Sequence, residues 1–333
     1  MAASEQTQGM SAPVKAPSAR RLPVAAPALL LVFALLLLGL GNWLAPGFAT
    51  PNNVLQLLKL ASFLGLVAIG QTLIMLTGGI DLSIAWVMTA AAVVFTRLCD
   101  GIDANIPLAA AAALGIGLVT GLVNGFGVVK LRISPIVMTL AMNNIMLGAT
   151  LTYTGGTPSG SSSQLVRALA TGNVGFIPAM VILWAVLAAV AIIGVRCTRG
   201  GRKLLAVGEN PRVSFLTGID NDRVVISAYV IGGLTSALAG ILFAAFSGMA
   251  FLGMGDQFVL PAIAAVVLGG TSMFGGRGGY GGTVAAVIFT TILSTVLVIG
   301  NISPGVRSII FGLTVLAAII AQRFLMRREE AGQ

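Results

Sequence analysis

Leu55-Gln-Leu-Leu-Lys-Leu-Ala-Ser-Phe-Leu-Gly-Leu-Val-Ala-Ile-Gly-Gln-Thr-Leu-Ile-Met-Leu76 runs for twenty-two residues with one charge, Lys59, and then meets Thr77-Gly-Gly-Ile-Asp-Leu-Ser83. About 20 apolar residues in a helix cross the hydrocarbon of a bilayer. The first stretch therefore reads as a membrane span and the second as its interruption. Gly78 and Gly79 free the backbone to leave the helix, and Asp81 or Ser83 can cap the helix that restarts in Ser83–Phe95. A carboxylate near membrane depth is costly unless it faces water or a partner, so the same residues also read as the polar lining of a pathway.

The pattern repeats along the chain. Apolar segments occur at Val24–Leu44, Leu55–Leu76, Ser83–Phe95, Ile106–Val128, Pro135–Tyr153, Phe176–Val195, Val224–Phe246, Gln257–Leu268, Thr283–Ile299 and Gly305–Ala321. Only 9% of residues are charged and 57% are hydrophobic, against roughly a quarter charged in soluble domains. The expected fold is an all-α polytopic transmembrane bundle of about ten spans, with inverted repeats and short or broken helices. Residues 1–23 read as a disordered cytoplasmic tail, 24–322 as the membrane domain with a basic loop at 196–223, and 323–333 as a second cytoplasmic tail. Val24–Leu44 is too long for the core of a cleaved signal peptide and reads as a retained anchor.

Charge decides parity. If all ten segments cross, fifteen of the 19 Lys and Arg fall on one side, leaving only Lys59, Arg97, Arg167 and Arg307 on the other. The positive-inside rule then places both termini in the cytoplasm. If Ser83–Phe95 and Gln257–Leu268 merely dipped and returned, the basic stretch Arg196–Arg223 would move outside, against the rule. The net charge of +9 is thus topological, and with no basic run interleaved with aromatics it implies no nucleic-acid partner. The chain has no His and only two Cys, which excludes His general-base chemistry, His-ligated haem and zinc hydrolysis. Cys99 and Cys197 fall near opposite faces, too far apart for a disulfide.

An internal duplication is visible. At an offset of 175, Gly65…Gly78-Gly-Ile-Asp81 lies over Gly240…Gly253-Met-Gly-Asp256, and later, at the similar offset of 169, Ile133-Ser-Pro-x-Val137 recurs as Ile302-Ser-Pro-x-Val306. The two copies begin on opposite sides, so the halves are inverted, the architecture of many transporters. Gly117, Gly121 and Gly125 give one helix face for close approach of a neighbour. Gln71, Thr139, Asn143 and Asn144 place polar groups inside spans, where amides need partners: another helix or a hydroxyl-rich solute. Gly276-Arg-Gly-Gly-Tyr-Gly281 matches a dinucleotide fingerprint in form, but its flanks are apolar spans and it reads as a flexible cytoplasmic loop. No Walker sequence occurs, so the chain cannot cradle ATP phosphates by that route. In the basic stretch, Asn210-Pro211 is a helix start and Gly218 a stop. Between them lies one short helix, Pro211–Thr217, with Val213, Phe215 and Leu216 as apolar residues in need of a surface to dock into.

Gly78-Gly-Ile-Asp-Leu-Ser83, Ile133-Ser-Pro-x-Val-Met-Thr-Leu140, Ala206-Val-Gly-Glu-Asn-Pro211 with Gly218-Ile219, and Leu268-Gly-Gly-Thr-Ser-Met-Phe-Gly-Gly276 resemble the permease subunits of ribose-, xylose- and arabinose-type ABC importers. These share a superfamily with branched-chain amino-acid permeases. The resemblance runs through roughly residues 50–325. It implies a non-enzymatic transport subunit of the bacterial inner membrane and a permease homodimer. It further implies two partner ATPases that hold ATP and Mg, no cofactor or metal on this chain, and a periplasmic sugar-binding protein that delivers a pentose or related sugar or polyol. It also implies that Ala206, Gly208, Glu209, Asn210, Pro211, Arg212, Phe215 and Gly218 form the ATPase coupling segment. Gln71, Asp81, Ser83, Trp86, Thr139, Asn143, Asn144 and Asp256 are the candidate pathway residues. One departure is Ile84-Ala85-Trp86 where the family usually has Val-Gly; Trp86 adds bulk beside the presumed pathway and puts a standard pentose in doubt. Two rival readings are an ion-coupled secondary sugar transporter, for which Asp81 and Asp256 are the available carboxylates, and a structural membrane subunit of a larger complex.

Overall fold

Three prolines set helix starts in the membrane domain: Pro51, Pro135 and Pro304 each stand at the first position of a long helix, where the missing N–H has no partner to lose. The computed structural model describes residues 25–331; the tail expected at residues 1–23 lies outside the described residues. In chain order the helices are α1 (Ala25–Leu44), α2 (Pro51–Leu76), α3 (Ile84–Cys99), α4 (Ile106–Val129), α5 (Pro135–Thr154), α6 (Gln164–Thr171), α7 (Ala179–Cys197), α8 (Arg199–Glu209), α9 (Pro211–Leu216), α10 (Asn221–Ser247), α11 (Asp256–Leu268), α12 (Tyr280–Ile299) and α13 (Pro304–Ala331). A two-residue antiparallel hairpin, Asn173–Val174 with Ile177–Pro178, precedes α7.

Among the described residues, seven helices are long and apolar enough to cross a membrane, and three shorter apolar ones are Ile84–Cys99, Asp256–Leu268 and Pro304–Ile320. Together they are the ten segments expected, in a multi-pass all-α bundle. The basic loops gather at one end of it. There Lys130 at the end of α4 meets Asp222 of α10 at 2.6 Å, and Arg277 meets Glu209 at 3.3 Å. The hydrogen bond to Asp222 and its negative charge hold the Lys130 ammonium above the ordinary lysine range, so the exposed pair is intact at neutral pH. At the opposite end Arg97 donates to the Tyr153 carbonyl at 2.7 Å and lies over its ring. Lys59, buried there, donates to the Thr171 carbonyl at 2.8 Å, the negative end of α6.

The duplication is visible in three dimensions. Both α2 and α10 are long, each leads through an irregular break (residues 77–83 and 248–255) into a short helix, α3 or α11, and each half closes on a Pro-opened helix, α5 or α13. The two leading helices run antiparallel: Phe63 packs on Phe243 and Phe246, Gly70 lies against Gly232, and Gly79 against Tyr229. That is the inversion. The short helices start against one another, for a Cβ on Gly255 would meet the Ala85 carbonyl, and the Gly255 N–H donates to Thr89 Oγ1 at 3.2 Å.

Small residues let the central pair close up. A Cβ on Gly121 of α4 would stand 2.5 Å from the Tyr229 carbonyl oxygen and 2.7 Å from Val230 Cα, and one on Gly125 2.8 Å from Ile226 Cα. The stripe Gly117-Gly121-Gly125 is therefore a backbone-to-backbone seam with α10, as expected from its spacing. Gly121→Val should force the two helices apart at a cost of about 1–3 kcal/mol. A thermal-unfolding series in detergent should show the midpoint lowered by several degrees.

Candidate functional site

Around the first break the structure assembles a buried polar cluster. Asp81 is 3% exposed. Its Oδ1 accepts from the Ser83 N–H at 2.7 Å and the Ser83 hydroxyl at 2.6 Å, and Ser83 Oγ accepts from Asn124 Nδ2 at 3.0 Å. Asp81 thus closes a turn on the residue that precedes α3, which is how Thr77–Ser83 can leave helical geometry inside the bundle. Thr139 of α5 seals the other side. Its hydroxyl accepts from the Leu82 N–H at 3.0 Å and lies 2.9 Å and 3.3 Å from the Pro135 and Ile80 carbonyls, either of which can take its proton. Asn124, absent from the sequence-derived set, is the residue that joins α4 to this cluster. Its signal was an amide in the last turns of an otherwise apolar glycine-striped helix.

The remaining candidates are scattered. Gln71 is buried in α2 with both amide atoms lacking a protein partner. Trp86 is buried in the first turn of α3. Asn143 has a buried, unpartnered Oδ1, and Asn144 is exposed with Nδ2 donating to the Leu140 carbonyl at 2.9 Å. Asp256, matched to Asp81 by the repeat, differs in setting: it is the first residue of α11 and is exposed. The offset aligns the breaks but not the chemistry of their carboxylates, because Asp81 has a serine two residues on to hold it whereas Asp256 is followed by Gln257 and Phe258.

The basic end carries the second candidate site. Asn210 caps α9, its Oδ1 accepting from the Arg212 and Val213 amides at 3.1 Å each, and Gly218 takes φ +81° to end the turn. Val213, Phe215 and Leu216 are 54%, 70% and 78% exposed. The short helix therefore turns its apolar residues away from its own bundle. The basic stretch holds the short helix expected at Pro211–Thr217, as α9, and a second helix, α8, before it. Ala206, Gly208 and Glu209 lie on α8, an amphipathic helix whose Leu204 and Val207 are buried, while Pro211, Arg212 and Phe215 lie on α9. The loop expected to be flexible at residues 276–281 is instead knit: the Ser272 N–H donates to the Arg277 carbonyl at 2.9 Å and the Gly279 N–H to Thr271 Oγ1 at 3.3 Å. Cys99 is buried and Cys197 exposed, both as free thiols.

Residues 53–319, which span the bundle and α9, match the family described as the branched-chain amino acid transport system / permease component. The chain belongs to that family. Among its relatives, the ribose import permease protein of Escherichia coli K12 is 33% identical over 294 residues, 87% of this chain and 91% of the relative. The L-arabinose transport system permease protein of the same strain is 33% identical over 300 residues, 89% and 90% of the two chains. The fructose import permease protein of Rhizobium meliloti is 28% identical over 328 residues, 92% and 86%. No solved structure matches.

Proposed function

We propose that this chain is the membrane-spanning permease subunit of an ATP-driven importer in the bacterial inner membrane, passing a monosaccharide (a pentose or a related sugar or polyol). The relatives named for ribose, arabinose and fructose import support the cargo class. The observation that carries the energy source is α9, whose apolar residues are presented at the basic end with no surface of their own bundle to cover them. A separate ATPase is the partner that fits, with the basic end and both termini in the cytoplasm. A binding protein delivers sugar at the opposite end. The chain itself does no covalent chemistry.

The pathway in this reading runs along α5, between two copies of the chain. Among the seven long spans α5 is the least apolar, and little of it is buried. Asn144 opens its amide to the surface in mid-helix, beside the unpartnered Oδ1 of Asn143. Lipid cannot satisfy such groups, whereas a hydrated pathway or a second subunit can.

Reconstitution tests the proposal. With the cognate ATPase and binding protein, vesicles should show sugar-dependent ATP turnover and sugar uptake. Uptake that needs no ATPase and follows a proton or sodium gradient would overturn it.

A further inference from the structure

Three chain segments from different parts of the sequence meet backbone to backbone at the basic end. Gly208, in the last turn of α8, lies against the Leu76 carbonyl at the end of α2 and against the Gly276 amide. The Gly276 N–H donates to that same Leu76 carbonyl at 3.0 Å. A Cβ on Gly275 would stand 2.9 Å from both the Gly208 oxygen and the Gly78 nitrogen, and one on Gly276 2.6 Å from Glu209 Cα. Gly275 and Gly276 hold φ of +88° and +73°, which an L side chain adopts at a cost. The junction is thus closed by backbone atoms, and a Cβ added at Gly208, Gly275 or Gly276 would press on a neighbouring segment.

What the junction connects is informative. Two residues past Glu209, after the cap Asn210, begins α9, the exposed apolar helix. From Leu76 the break 77–83 leads directly to Ile80 and Leu82, whose backbone atoms bond the Thr139 hydroxyl of α5. Asn143 and Asn144 follow one turn later on that helix. A continuous chain of backbone contacts and one hydroxyl clamp therefore joins the docking helix to the helix that carries the exposed amide of Asn144. Packed backbone deforms in discrete steps rather than continuously, which suits it to passing a displacement.

We propose that this junction transmits the movement of α9 to α5, with Gly208, Gly276 and Thr139 as positioning residues. The inference rests on the importer reading given above. It is tested in the complex of the chain with its ATPase and binding protein, by the ratio of sugar-stimulated to unstimulated ATP turnover. Thr139→Val keeps shape but loses the clamp; Gly276→Ala wedges the junction from the loop. Both should assemble with the ATPase as wild type does, while the ratio falls at least about fivefold, the lower end of ordinary coupling between sites. Thr139→Ser, which keeps the hydroxyl, should restore most of it. An assembled Thr139→Val complex with the wild-type ratio overturns the transmission role. Should that variant not insert, Gly276→Ala decides the point by the same ratio. A wild-type complex that shows no stimulation at all overturns the importer reading itself, a result distinguishable from failure of the variants alone.

Discussion

Phe215→Asp should abolish recovery of the ATPase with the purified permease while leaving insertion, yield and thermal unfolding unchanged. The expectation follows from where the side chain stands. Phe215 is 70% exposed in the isolated chain, so its replacement removes nothing from the bundle core. The fold of α9 does not depend on it either, since the helix is started by Asn210 and Pro211 and stopped at Gly218. In a docked complex the ring would be an aromatic anchor, a class of residue whose truncation typically costs about 2 kcal/mol or more. A carboxylate in its place adds the desolvation of a charge. Together these predict a loss of at least about a hundredfold in affinity, on the scale of 1.4 kcal/mol per tenfold. Copurification from mixed membranes reads it, with sugar uptake lost in parallel. If Phe215→Asp instead copurifies with the ATPase like wild type, α9 is not the docking element, whatever else drives transport.

Glu209→Lys is a different experiment, although Glu209 is only six residues away. Its carboxylate pairs with Arg277 at 3.3 Å, so the charge reversal would push at the loop that packs on the Leu76 carbonyl. It should disturb transmission as well as docking, and ATPase recovery should fall less than sugar-stimulated turnover does. Measuring both in one preparation separates the two effects.

Much of this was legible in the sequence for identifiable reasons. Spans are long-range averages of hydropathy, and α1 to α5, α7 and α10 to α13 fall where apolar runs predict them. A helix end was readable where a local rule sets it: Asn210-Pro211 opens α9. Two of the basic loops do meet acidic partners at one end of the bundle, where the charge pattern gathers them. The misses share another cause. Helices α6 and α8 are short and amphipathic, and their apolar faces have a meaning only against the bundle that covers them. The Gly-rich loop 276–281 was expected to be flexible because glycine propensity is a statement about an isolated chain; in the fold the stretch around it is held by the Ser272 and Gly279 amides, and Gly276 and Gly278 are there for close approach. The dissimilarity of Asp81 and Asp256 was likewise hidden. Repeat alignment registers residue type, whereas burial and hydrogen bonding depend on which neighbours the second half supplies.

Asp81 gives the sharpest separation between a structural carboxylate and a working one. In Asp81→Ala the Ser83 N–H and hydroxyl lose their acceptor inside the bundle, each such loss costing about 1–3 kcal/mol. Ser83 would then turn from Asn124, whose Oδ1 already lacks a partner. The break 77–83 would lose the turn that lets α3 restart, so the variant should fail to accumulate as folded protein. Size-exclusion profile and membrane yield read that result. Asp81→Asn behaves differently, because an amide oxygen can still accept both Ser83 bonds at similar geometry. It should fold with only a modest loss of stability, and sugar uptake driven by ATP should persist. An ion-coupled transporter makes the opposite forecast for the second substitution: without a carboxylate that can take up and release a cation, Asp81→Asn would be folded and inactive. The pair of variants therefore distinguishes a buried turn-closing carboxylate from a coupling site in a way that Asp81→Ala alone, being inactive on either account, cannot.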